Sequence, residues 1–238
     1  MSTSSVATLS ELRTLARQYS DMVNSNFVTD SEFNAYLNLA YFELYDILIQ
    51  KYGDDYFVAS PYSITTDGTS YLYALPSDFY KMIGLDLQLG NSDTSWVTIK
   101  PFMFIDRNRY ATPNFQSFYG VTNLRYRLSG GNLFLTPTPS SGQTLRLWYL
   151  PKLSELTSDG STVNGISGWQ DYLPIDAAIK ALAKEESDTS ALQLRKNMLI
   201  QRIESAAEGR DAGSPQVVGD SQWSDMSMPN GGNTWGGY

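Results

Sequence analysis

The 238-residue chain contains no cysteine and no histidine. Without cysteine there is no disulfide framework, no thiol nucleophile and no thiolate metal site. Without histidine the chain lacks the commonest general base and the commonest metal ligand. Ser-His-Asp, Cys-His and zinc-hydrolase mechanisms are excluded, which leaves carboxylate chemistry, lysine chemistry or none. Long apolar runs are missing as well. No stretch reaches the length needed to span a bilayer, and residues 1–10 lack a basic-then-apolar signal pattern. No membrane association is expected, and the protein should be made and kept in a cytoplasm or in a particle assembled there. Positive charge is scarce, 17 Lys and Arg against 25 Asp and Glu, for a net charge of −8. That balance disfavours tight binding to nucleic-acid backbones or anionic membranes, while permitting an acidic surface past which DNA moves without sticking.

Motifs for bound phosphates and metals are absent too. There is no GxGxxG, Walker-type loop, EF-hand run or HExxH, so neither a cofactor nor a metal is implied. The adjacent acid pairs, Asp54-Asp55 and Glu185-Glu186, do not present opposed carboxylates, because neighbouring residues do not face each other on a helix or strand. They read as solvated helix ends, and no catalytic residue is expected.

What the chain does have is apolar content of 42% and 16 tyrosines, enough for a sizeable core with rings that suit half-buried strands or assembly surfaces. Charge is segregated. Residues 1–56 hold 8 acids and 3 bases, residues 171–238 hold 10 and 6, and the middle, 57–170, holds 7 and 8. Two acidic flanks around a near-neutral centre point to one module built from both ends and another built from the middle.

The flanks have helical signals. Thr8-Leu9-Ser10-Glu11 and Thr29-Asp30-Ser31-Glu32 have capping-box spacing, each followed by apolar residues at helical intervals. The second helix should stop near Gly53. Pro174 fits the first turn of a third helix, and Ser187-Asp188 reads as a break before a fourth that runs to Gly209. The aromatic residues Phe33, Tyr36, Tyr41, Phe42 and Tyr45 cover more than one face of the second helix. Either that helix is central in its own bundle, or Tyr36, Tyr41, Phe42 and Tyr45 also meet a neighbouring copy.

Between the flanks the period changes to two. Strands are expected at 56–60, 64–66, 70–75, 82–89 and 96–100, with a hairpin turn at Thr66–Thr69 and a helical turn starting at Pro101. Leu124–Leu128, Leu133–Thr136 and Thr144–Tyr149 read as a three-stranded meander. Arg125 and Arg127 look like the polar face of an edge strand. With Arg107, Arg109, Tyr110, Tyr119 and Tyr126 they could stack on bases, but salt bridges to an acidic neighbouring subunit fit the acidic chain better. Residues 151–170 read as a linker. The predicted architecture is α+β: a helix hairpin over 1–56, a β-rich antiparallel insert over 57–170 closing as a barrel or sandwich, and helices over 171–209 completing a four-helix module. Residues 210–238 show neither period and read as an extended tail. It carries Val217, Val218, Trp223, Met226, Met228, Trp235 and Tyr238, large apolar residues unusual in such a tail, and its tryptophans and methionines favour partner binding.

This layout resembles the head-to-tail adaptor (head-completion or connector) proteins of tailed bacteriophages. The likeness is carried by Phe42-Glu43-Leu44-Tyr45-Asp46-Ile47-Leu48 followed by Asp55-Tyr56-Phe57, by Tyr73–Asp86 and by Tyr172–Glu186 with the helix after it. It covers most of residues 8–209. The resemblance implies a non-enzymatic virion neck protein assembled in the host cytoplasm. It implies a homo-oligomeric, typically twelve-subunit ring beneath the portal protein, with a tail or nozzle protein on the opposite face and double-stranded DNA passing through. It also implies that residues of the C-terminal segment contact the portal. Two other readings stand beside it: another structural tail or baseplate component, and a carbohydrate-binding module using surface tyrosines and tryptophans.

Overall fold

A computed structural model describes residues 7–53, 57–90, 94–110, 124–164, 166 and 168–208. Both predicted capping boxes form. Thr8 accepts from the Glu11 amide while Glu11 returns a bond to the Thr8 amide, opening α1 (Leu9–Tyr19); Thr29 and Glu32 do the same for α2 (Asp30–Tyr52). Each box satisfies backbone donors that the first helical turn leaves free. The chain continues through β1 (Tyr62–Thr65), β2 (Leu72–Ala74), β3 (Phe79–Gln88), β4 (Trp96–Thr98) and β5 (Lys100–Pro101). A 3₁₀ turn at Phe104–Asp106 leads into the short α3 (Arg107–Tyr110). Then follow β6 (Arg125–Ser129), β7 (Asn132–Thr136), β8 (Thr144–Pro151), α4 (Tyr172–Lys184) and α5 (Ser190–Glu208). The class is α+β, as the sequence predicted.

Helices α1, α2, α4 and α5 share one hydrophobic core, with Leu12, Phe33, Leu37, Leu44, Leu173 and Ile203 among its buried members. The most enclosed helix is α4, where every residue from Tyr172 to Ala178 is buried. Its small residues Ala177, Ala178 and Ala181 let neighbouring helices approach closely. The segment expected as a linker contributes more than a connection. Leu156, Val163 and Ile166 lie in the helical core. Asn38 of α2 bonds both the amide and the carbonyl of Leu156, and the Tyr41 hydroxyl donates to the Asn164 carbonyl at 2.8 Å.

The strands form two four-stranded sheets, in the orders β1-β8-β3-β4 and β2-β7-β6-β5. Ile64, Leu85, Leu87, Leu145 and Leu147 of the first sheet share a core with Leu133 and Leu135 of the second, a sandwich. Several details differ from the sequence reading. The Thr66–Thr69 turn joins no hairpin, since β1 pairs with β8 and β2 with β7. Asp67 accepts from the Thr69 and Ser70 amides and bends the chain from one sheet to the other. Gly68, at φ 81°, lies where a Cβ would come within 3.0 Å of Ser141.

The expected meander is a β6–β7 hairpin, and β8 belongs to the other sheet. The intervening Pro137 and Pro139 have no amide hydrogen with which to continue a ladder. The 96–100 run is also divided: β4 joins the first sheet and β5 the second, with buried Ile99 between them. Pro101 therefore ends a strand, and the helical turns start after it. Two-residue β5 pairs with β6 in parallel, the one parallel pairing among the described strands, and this makes β6 an inner strand there instead of the expected edge. Residues 57–60 form no strand. Phe57 and Val58 instead pack with Tyr45, Ile49, Ile83 and Leu150 in a small cluster joining the two cores.

Candidate interaction surfaces

Tyr41 and Tyr45, read from sequence as either buried in their own bundle or also meeting a neighbouring copy, are only 3% and 4% exposed within a single copy. The Tyr41 hydroxyl bonds Asn164, and the Tyr45 hydroxyl donates to the Pro151 carbonyl at 2.8 Å. Burial pushes the Tyr45 hydroxyl up to about 12, helped by the neighbouring Tyr80, Tyr41 and Asp46. The broad aromatic face of α2 thus has a cause within the chain. One side meets the helical core, and Tyr45 and Ile49 on the other meet the sandwich. Tyr36 and Phe42 remain half-buried, with Leu39 exposed between them. Those three offer apolar surface on α2, beside exposed polar residues such as Glu43 and Gln50. The tail residues Val217, Val218, Trp223, Met226, Met228, Trp235 and Tyr238 lie outside the described residues.

Strand β3 is shaped for the joint. Its register against β8 shifts between Phe79 and Lys81 and again between Met82 and Gly84. Each shift leaves one residue unpaired, and a bulge of this kind re-aims a side chain. The released residues are Tyr80 and Ile83. Tyr80 donates to Asp46 of α2 at 2.6 Å, and Ile83 packs in the joining cluster. Phe42, Tyr45, Asp46, Tyr80, Lys152 and Leu153 border a cleft of about 210 Å³ there, small for a ligand site.

A second feature, which the sequence reading did not anticipate, ties α2, α4 and α5 together. Asp176 is buried at 3% exposure. Lys196 of α5 donates to Asp176 at 2.8 Å and to Glu43 of α2 at 2.9 Å; Lys180 also binds Asp176. The Tyr172 hydroxyl donates to Glu43 at 2.8 Å. Burial works against the Lys196 charge. Bonds to Asp176, Glu43 and Tyr172 outweigh it and hold the ammonium above the usual lysine range. Both carboxylates are engaged with cations. This is a structural knot.

On the outer face of the second sheet, Leu72, Phe134 and Arg127 lie in register across three strands. Arg107 and Arg127 both sit over the Phe104 ring, and Arg109 and Arg125 over Tyr110. Tyr126 packs against the sandwich core, and Tyr119 lies outside the described residues. An arrangement in which arginines already cover the rings, and one tyrosine faces inward, offers little aromatic platform for bases.

Among the described residues, no helix is long and apolar enough to cross a membrane, and no cluster of three or more acids could hold a metal ion. A family model described as SU10 adaptor protein matches residues 7–219. The chain belongs to that family. The SU10 adaptor family is a family of structural phage adaptors, so the chain is a virion component that meets other virion proteins. No curated protein matches it. The match takes in both cores and the joint between them, so the helices and the sandwich are equally parts of the SU10 adaptor chain.

Proposed function

We propose that the chain forms the head-to-tail adaptor ring beneath the portal, joining capsid to tail and continuing the DNA channel without catalysing a reaction. The family match across 7–219 carries this reading. It is supported by a chain unable to do histidine or cysteine chemistry and by Glu11, Asp30, Glu32 and Asp176, which serve caps and ion pairs. In this reading the helical module makes ring contacts, and the face opposite the portal meets the tail or nozzle protein. Residues 210–238 grip the portal through their tryptophans, methionines and valines. The ring has about twelve copies, the number that the resemblance to head-to-tail adaptors implies, closed by one repeated contact. The net charge of −8 keeps passing duplex from adhering.

Deleting 215–238 tests the portal grip. Portal binding in a pull-down should be lost while circular dichroism and the thermal melt stay unchanged. A truncated chain that still binds the portal refutes the assignment. Native mass measurement of the portal complex gives the copy number.

A further inference from the structure

Two exposed surfaces are complementary in both charge and apolar character. The first is the turn after β5, where Met103, Phe104 and Ile105 are consecutive and 71%, 51% and 83% exposed. Three large apolar residues in a row on a surface mark an interaction site. Around them stand four arginines. Arg107 lies 4.8 Å and Arg127 5.5 Å from the Phe104 ring centre, and Arg109 and Arg125 lie within 6 Å of Tyr110. Stacking fixes the guanidinium groups, and although Arg107 donates to the Phe104 carbonyl at 3.2 Å, further donors remain on each. Among the described residues none of the four is ion-paired.

The second surface is at one end of the helices, where the α1–α2 turn meets the α4–α5 turn. Lys184 donates to the Phe27 carbonyl at 3.2 Å and lies 5.0 Å from its ring, so the two turns adjoin. That lysine is neutralised by Glu32 at 2.6 Å. Val23 and Phe27 are 57% and 50% exposed. Asp21, Glu185, Glu186 and Asp188 are exposed around them, and among the described residues none is ion-paired.

We propose that these surfaces are the two halves of one head-to-tail contact between copies of this chain. The 103–105 turn of one copy seats against Val23 and Phe27 of the next, with four arginines facing four carboxylates. Copies with a net charge of −8 repel one another. A contact between them is favoured where the basic minority of one meets the acidic excess of the other. The two halves are different patches, one on each core, and joined in one direction from each copy to the next they make a heterologous contact. Such contacts repeat around a ring when the rotation closes. The proposal rests on the ring reading and adds to it the contact between neighbours.

The test uses the full chain in two variants, R107E/R127E and E185K/E186K, followed by sedimentation velocity at low ionic strength. Wild-type protein should associate, and added salt should weaken the association. Each variant alone should associate about tenfold or more weakly, since like charges then face each other. An equimolar mixture should recover association, because the reversed arginine surface of one variant matches the reversed acidic surface of the other. A third variant, M103S/I105S, should weaken association with no change in charge. Monomeric wild type, undiminished association of any single variant, or a mixture that does not recover would each overturn the proposal. Portal binding through residues 215–238 is measured separately, so a failed contact and a failed neck reading give different results.

Discussion

Replacing Lys196 with methionine measures how much the ionic knot between α2, α4 and α5 contributes to stability. The ammonium donates to Asp176 at 2.8 Å and to Glu43 at 2.9 Å, from a side chain only 20% exposed. Methionine keeps most of the apolar stem, so the substitution isolates the charge. A hydrogen bond to a charged group contributes about 1.5–3 kcal/mol. The Asp176 bond belongs near the top of that range because its carboxylate is 4% exposed; Glu43, at 43%, is partly served by water and contributes less. Asp176 keeps Lys180, which limits the loss. The expected cost is about 2–4 kcal/mol. For a chain of this size that lowers Tm by roughly 5–15 °C.

Urea unfolding at neutral pH should show a lower midpoint with an unchanged m-value. The companion change is Asp176→Leu. Alone it strands Lys196 beside a single exposed partner, whereas with Lys196→Met the buried pair is replaced by apolar groups, which is often neutral. The double variant should therefore be more stable than the sum of the singles requires. A loss below about 1 kcal/mol for Lys196→Met, or strict additivity in the double variant, would refute the reasoning.

Two further outcomes follow from the α1–α2 region. The Lys184 ammonium, with the Thr29 amide and hydroxyl, holds the Glu32 carboxyl down at about 2, against 4.5 ordinarily. Because the folded value is the lower one, the stabilisation is fully present above 4.5 and disappears as pH falls through about 2. Glu32→Gln should flatten that part of the acid unfolding profile, and identical slopes in both proteins would count against it. Arg17 binds the carbonyls of Met22, Ser25 and Val28 as well as Asp30, and stacks 4.7 Å from the Phe33 ring. A lysine cannot reproduce that fork. Arg17→Lys should cost about 1–3 kcal/mol and speed amide exchange over residues 22–28; unchanged exchange would argue against the clamp.

The helices were legible because their signals are local. Thr8 with Glu11, Thr29 with Glu32, and Pro174 in a first turn each act within four residues, and all are found where the spacing places them. Strand positions were mostly legible too, because alternation is local. Strand partners were not. Ile64 pairs with Leu145 across some eighty residues, and nothing near Thr66–Thr69 distinguishes a hairpin from a crossing between sheets. The four-arginine composition was visible in the sequence, but its stacking on Phe104 and Tyr110 depended on β5 meeting β6, a two-residue pairing with no periodic signature. Exposure of Met103–Ile105 was equally unreadable, since an apolar triplet in sequence usually means core.

An adaptor must fix the separation and tilt of whatever it meets at its two ends, and in this chain that depends on the contact between the two cores. Among the interactions that cross it are the Tyr45 hydroxyl to the Pro151 carbonyl, Tyr80 to Asp46, the Tyr45 and Tyr80 rings 6.2 Å apart, and Ile49 with Ile83 and Leu150. The Tyr80 contact relies on a departure from regular structure, and the Leu150 contact on ordinary strand alternation. The bulges of β3 turn Tyr80 and Ile83 toward α2, and β8 buries Tyr149 and Leu150 in succession, the first in the sandwich and the second at the joint. Of the α2 aromatics, Phe33, Tyr36 and Tyr41 therefore pack in the helical core, and Tyr45 holds that core against the sandwich. Assigning Tyr41 and Tyr45 to a ring contact would ask the same rings to be buried twice. Apolar surface remains for neighbours on this helix at Tyr36, Leu39 and Phe42. The larger unpaired surfaces lie elsewhere, at the arginine-flanked turn of the sandwich and the acidic end of the helices, one on each core. If the joint is stiff, a contact between those two surfaces transmits the orientation of one copy to the next.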